Sequence, residues 1–105
     1  MDVFAALADP TRREVIRCLA EGPATATELA AQFPVSRQAV SKHLGLLDEV
    51  GLVVATREGR ETRYQLRPEP LRDAMSWMAA VGARWDDRLA ALQRMLARPR
   101  REDSR

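Results

Sequence analysis

The chain has 105 residues, 46% of them hydrophobic and 30% charged, which suits one globular domain with a modest core and leaves no room for a second. Its net charge is only +2, so a polyanion partner must be met by clustered cations rather than by an overall excess. A single cysteine excludes an intrachain disulfide framework, no stretch approaches the ~20 apolar residues of a membrane span, and the N-terminus lacks the features of a signal peptide, so the expected location is the cytoplasm.

Asp2 to Ala8 is a short apolar segment with Phe4 and Leu7 three apart. It is too short to hold as a helix alone, so it must pack on its own body or on a partner subunit. Asp9-Pro10-Thr11 then opens a helix: Asp9 can cap, and Pro10 suits the first helical position. Val15, Ile16 and Leu19 form its buried stripe, and Gly22-Pro23 ends it. Arg12, Arg13 and Arg17 lie near one another on its surface, read as a solvated face with Glu14 and Glu21; phosphate contact is the alternative.

Thr25 to Gln32 reads as a third helix, because Thr25 and Glu28 match a capping box. Leu29, Ala30 and Phe33 face inward, and Phe33-Pro34-Val35 is a tight connection. The next helix starts at Ser36, a good N-cap. Val40, Leu44 and Leu47 share one face of it. At ~100° per residue, Gln38, Ser41, Lys42 and Gly45 fall on the other face. No acidic residue occurs between Ser36 and Leu47, while Arg37 and Lys42 are cationic. An apolar back and a short, polar, cationic front suit a DNA major groove: Gln reads adenine edges, and Arg or Lys reads guanine. Two short helices joined by a tight turn form a helix-turn-helix. An ordinary amphipathic surface helix is the bland alternative.

Leu52 to Thr56 and Thr62 to Leu66 read as two strands joined through Arg57-Glu58-Gly59-Arg60-Glu61, with Gly59 supplying the positive φ of a tight hairpin. This two-stranded wing carries Arg57, Arg60 and Arg63 with Glu58 and Glu61 between them. Placed directly after a groove-reading helix, it favours phosphate or minor-groove contact over a merely solvated hairpin.

Pro68-Glu69-Pro70 marks the start of the last helix. Leu71, Met75, Met78, Gly82, Trp85, Leu89, Leu92 and Leu96 follow in alternating steps of four and three, the pattern of a helix–helix seam. Ala74, Trp77 and Val81 form a second apolar stripe beside it. Two stripes call for two partners: the subunit's own body and a second subunit. With Phe4 and Leu7, the seam residues are the expected dimer interface. Pro99 stops the helix, and Arg98 to Arg105 is expected to be a disordered tail whose four arginines add weak DNA affinity at most.

The expected fold is mainly α with a small two-stranded β-wing, a winged helix-turn-helix with N- and C-terminal dimerisation helices. It is one domain over residues 1–97, with the helix-turn-helix near 25–50, the wing near 52–67 and the last helix near 69–97. The chain resembles the ArsR family of bacterial winged-helix repressors. The resemblance rests on Ala6-Leu-Ala-Asp-Pro-Thr-Arg-Arg13, Glu28-Leu-Ala30, Ser36-Arg-Gln-Ala-Val-Ser-Lys-His-Leu44, and Gly51-Leu-Val53 followed by Arg57-Glu-Gly-Arg60. It implies a homodimer that binds double-stranded DNA at an inverted repeat and represses a nearby gene, often its own. Carried over to this sequence, Ser36, Arg37, Gln38, Ser41, Lys42 and His43 match the DNA-reading stretch, and Arg60 lies at the wing tip.

Many members of that family sense metals, and the chain departs from them. Where one group places a Cys-x-Cys pair, Thr25 and Thr27 stand here, and both are poor ligands for soft metals. Where another places Asp and His on the last helix, this one has no histidine, and its acids are Asp73, Asp86 and Asp87. Cys18 reads as a buried structural thiol rather than a redox sensor, which would need an activated thiolate. Met75, Trp77, Met78 and Trp85 fit a dimer core better than a small-molecule pocket. No metal site and no cofactor are therefore expected. With no glycine-rich phosphate loop and no nucleophile motif, the chain does not read as an enzyme. The remaining rivals are a winged-helix module for protein–protein assembly and a metal- or redox-responsive repressor.

Overall fold

The computed structural model describes residues 1–97; the expected arginine-rich tail lies outside them. The elements in order are α1 (Val3–Leu7), α2 (Pro10–Glu21), β1 (Ala24–Thr25), α3 (Ala26–Ala30), α4 (Arg37–Glu49), β2 (Val53–Glu58), β3 (Glu61–Leu66) and α5 (Glu69–Ala97). They fall into two compact units, Met1–Ala74 and the stretch from Met75 onward.

In the first unit the starts of α1 to α4 are each set by a local side chain. Asp2 accepts from the Ala5 amide at 2.8 Å to cap α1. Asp9 accepts from the Thr11 and Arg12 amides to cap α2, with Pro10 at its first position. In α3 the capping box is complete: the Glu28 amide donates to Thr25 Oγ1, and the Thr25 amide donates to Glu28 Oε1 at 2.8 Å. Ser36 Oγ accepts from the Ala39 amide at the start of α4. Each cap satisfies a backbone donor the helix leaves orphaned, typically worth ~1 kcal/mol.

Val15, Leu29, Val40, Leu44, Leu47 and Leu52 are the completely buried centre of the core, joined by Ala6, Ile16, Leu19, Ala26 and Val53. Gly51 turns the chain from α4 into β2 with φ 77°, a conformation costly for any residue with a Cβ.

The sheet departs from expectation. It has three strands, in the order β1-β3-β2, not two. Ala24 pairs with Tyr64 and Thr25 with Arg63, so Thr25, read as the start of a helix, also ties the wing to the body. The signal was invisible because β1 is two residues long and Thr25 serves both elements: its extended φ/ψ fits a strand and an N-cap equally. The hairpin itself runs from Val53↔Leu66 to Glu58↔Glu61, and Gly59 takes φ 61° in the turn.

Two residues expected at the dimer seam also pack on their own subunit. Leu7 is half-buried against the core beside fully buried Ala6, and Leu71 packs there as well, near buried Ala74. The reason is proximity: both lie on helical turns held directly over the core. In the second unit, Met75, Met78, Trp85, Leu89, Leu92 and Leu96 are exposed, as are Trp77 and Met95. The Arg88 guanidinium lies 5.8 Å from the Trp85 ring centroid.

Candidate nucleic-acid interface

The site is built on α4. Its buried face, Val40, Leu44 and Leu47, fixes the rotation of the helix, so Arg37, Gln38, Ser41 and Lys42 are left exposed. Across from them stands the hairpin. Between α4, the start of α3 and the wing lies a groove of about 430 Å³. Arg37 and Ser41 line it from α4, Thr27 and Glu28 from α3, and Arg57, Arg60, Glu61 and Tyr64 from the wing. Helix face and hairpin thus bring three arginines to one concave surface. Arg57 Nε donates to the Gly59 carbonyl at 3.0 Å, which folds that arginine over the turn. Arg60 is exposed in the turn itself.

Three of the expected contact residues also make contacts within the subunit. The Ser36 hydroxyl accepts the Ala39 amide and so holds the cap. His43 is half-buried, and its Nδ1 lies 3.5 Å from Arg12 Nη1. On α4 it stands about 60° from Val40 at ~100° per residue, at the edge of the apolar face. His43 therefore faces α2 and not the open front of α4.

Arg63 is the third. Its guanidinium meets Glu58 at 3.0 Å, Glu28 at 3.3 Å and Glu61 at 3.4 Å. The charge of Glu28 above all raises the Arg63 pKa further. Glu28 is held below its ordinary pKa, first by the Thr25 amide and then by the Arg63 charge.

Arg12 and Arg13 are structural. Arg12 donates to the Ala6 carbonyl at 2.9 Å and the Ala5 carbonyl at 3.2 Å, and Arg13 to the Leu7 carbonyl at 2.7 Å. These carbonyls lie in the last turn of a five-residue helix, where intrahelical donors run out; the Ala5 carbonyl also accepts the Ala8 amide at 3.2 Å. The two arginines therefore dock α1: Arg12, half-buried, departs from the reading as a solvated face, while Arg13 stays exposed and Arg17 is paired with Glu14 at 2.8 Å. Asp9 lies below its ordinary pKa because its carboxylate accepts the Arg12 amide, with help from the Thr11 amide and the nearby His43 and Arg12 charges. Nothing in the local sequence announced the docking of α1 by Arg12 and Arg13, since those carbonyls lie six or seven residues away.

Cys18 is half-buried against the core, and its thiol donates to Gln32 Oε1 at 3.5 Å. Burial, with Glu14 and Glu21 beside it, pushes the thiol pKa up against the opposing pull of Arg17. That disfavours the thiolate an oxidant would attack. Among the described residues no three His, Cys, Asp or Glu side chains converge to hold a metal ion, and no helix is long and apolar enough to cross a membrane.

Residues 7–55 match the family model described as a helix-turn-helix domain. Over 77 residues the chain is 35% identical to the transcriptional repressor SdpR of Bacillus subtilis, covering 73% of this chain and 86% of that protein. Among solved structures, an ArsR-like transcriptional regulator from Rhodococcus superposes with a TM-score of 0.78 at 43% identity, covering 89% of this chain and 88% of the other. A homodimeric winged helix-turn-helix DNA-binding domain from Mycobacterium bovis superposes with a TM-score of 0.62 at 27% identity, covering 77% and 75%.

Proposed function

Since the chain belongs to the ArsR family of winged helix-turn-helix transcriptional regulators, we propose that it is a homodimeric DNA-binding repressor acting in the cytoplasm, without a catalytic role. Gln38 and Arg37 read base edges from the front of α4, Ser41 and Lys42 support them, and Arg57 and Arg60 hold phosphate from the wing. One observation carries this reading: Arg37 and Ser41 from the front of α4 line a single groove with Arg57 and Arg60 of the wing. A duplex backbone presents a phosphate charge every ~1.7 Å of axis and rewards such clustering. The unit from Met1 to Ala74 is the DNA-binding body, and the helix from Met75 serves dimerisation. The exposed Met75, Met78, Trp85, Leu89, Leu92 and Leu96 form an apolar stripe of the kind that marks an interface. The homodimeric relative supports a second copy as its occupant.

A gel shift and footprint on the DNA upstream of the protein's own gene, over a range of salt, test the proposal. Two reading helices related by a two-fold axis protect an imperfect palindrome with half-sites ~34 Å apart. Affinity falls steeply with salt in proportion to the phosphates neutralised. Equal binding to random and upstream DNA at moderate salt overturns the specific part.

A further inference from the structure

Arg63 stands on the wing beside Arg57 and Arg60, yet its surroundings differ from theirs. A guanidinium has five N–H donors and no acceptor. In Arg63 the three nitrogens are each directed at a different carboxylate: Nε at Glu58, Nη1 at Glu28 and Nη2 at Glu61. The side chain is about one-third exposed, at 32%. Glu58 and Glu61 belong to the same hairpin and face each other across its turn. Glu28 does not. It lies 35 residues away, in the first turn of α3, which is the first helix of the helix-turn-helix.

Three interactions meet at this point. Glu28 Oε1 accepts from Arg63 and from the Thr25 amide together. Thr25 caps α3 and also pairs with Arg63 across β1 and β3. Cap, strand pairing and ion pair thus converge on Thr25, Glu28 and Arg63. The groove opens beside them, with Arg37 on one wall and Arg57 and Arg60 on the other.

We propose that Arg63 is a positioning residue rather than a phosphate ligand: through Glu28 it moors the wing to the helix-turn-helix and so sets the spacing between Arg60 and the front of α4. This rests on the reading of the groove as a DNA interface. The two roles for Arg63 predict opposite signs when Glu28 loses its charge. If Arg63 were a phosphate ligand restrained by Glu28, Glu28→Gln would free it and tighten DNA binding. If Arg63 moors the wing, Glu28→Gln loosens the wing and weakens DNA binding, although the protein gains a unit of positive charge. Glutamine preserves the capping box, so α3 keeps its cap.

The experiment compares wild type, Glu28→Gln, Arg63→Gln and the double variant, by DNA affinity at fixed salt and by hydrogen exchange of the β3 amides without DNA. Glu28→Gln is expected to weaken DNA binding about twofold to fivefold, the range of one exposed ion pair, and to speed exchange in β3. In the Arg63→Gln background, Glu28→Gln is expected to speed neither β3 exchange nor release from DNA any further, and so to add no further loss. Unchanged or tighter DNA binding by Glu28→Gln, or unchanged β3 exchange, overturns the proposal. If the wild type binds no DNA, the functional reading fails separately, and β3 exchange in the free protein still decides whether Arg63 moors the wing.

Discussion

Helix α4 and the part of α5 from Met75 onward carry apolar residues at the same three- and four-residue steps. In α4 those residues, Val40, Leu44 and Leu47, are 0% exposed. In α5 the residues Met75, Met78, Trp85, Leu89, Leu92 and Leu96 are between 47% and 64% exposed. A helical period states which face is apolar and says nothing of what covers it. For α4 the cover is the subunit's own core. For α5 it is a second subunit in the proposed dimer, and the two helices should respond to truncation in different ways.

The largest effect is expected at Trp85. Truncating a buried Trp costs ~3–5 kcal/mol, and in a symmetric dimer the loss occurs twice. Trp85→Ala should therefore weaken dimerisation by several orders of magnitude, at ~1.4 kcal/mol per factor of ten. Operator affinity should fall with it, because a lone reading helix loses its tethered second half-site. Sedimentation of the variant checks this, and an intact dimer with unchanged DNA affinity would erase the contrast between the helices. Leu44→Ala is the counterpart within α4. It should lower the stability of the subunit itself by ~2–5 kcal/mol, read by denaturant unfolding. Its dimer affinity, measured on the folded fraction, should stay near wild type.

Smaller effects separate the two faces of α4 and the wing. Gln38→Ala should relax base preference at one position of each half-site by ~1–3 kcal/mol, seen in a competition assay with substituted operators. Arg60→Ala should weaken binding to all sequences alike and reduce the slope of log affinity against log salt by ~0.9. A variant of Arg60 with altered sequence preference would reverse these roles.

The smallest effect is with acid, acting on the first unit through Asp9 and Glu28. Both carboxylates have depressed pKa values when folded, through the amides they cap and the arginines beside them. Their contribution to stability is thus fully present above the ordinary carboxylate pKa of ~4 and is lost as pH falls through the lower folded values. The melting temperature should hold steady down to about pH 5 and decline below about 4. Replacing Asp9 by Asn, which can still cap, should flatten part of that decline.

Legibility in the sequence followed distance along the chain. The caps at Asp9, Thr25 and Ser36, the box at Glu28 and the turn at Gly59 each involve residues within about one helical turn, and all were readable. Burial of Val40, Leu44 and Leu47 was readable too, because a period needs only one helix. With these came the family and the position of the reading helix.

Contacts between residues distant in sequence were decided only by the tertiary structure. Arg63 with Glu28, His43 with Arg12, and β1 with β3 join elements that no local pattern relates. An arginine suited to phosphate is chemically the same as one suited to carboxylate. Residue type therefore named Arg57, Arg60 and Arg63 alike, and only the approach of α3 to the wing drew Arg63 to Glu28. Leu7 and Leu71 follow the same rule: their apolar character was evident, but their packing on their own core needed the fold that brought the core within reach.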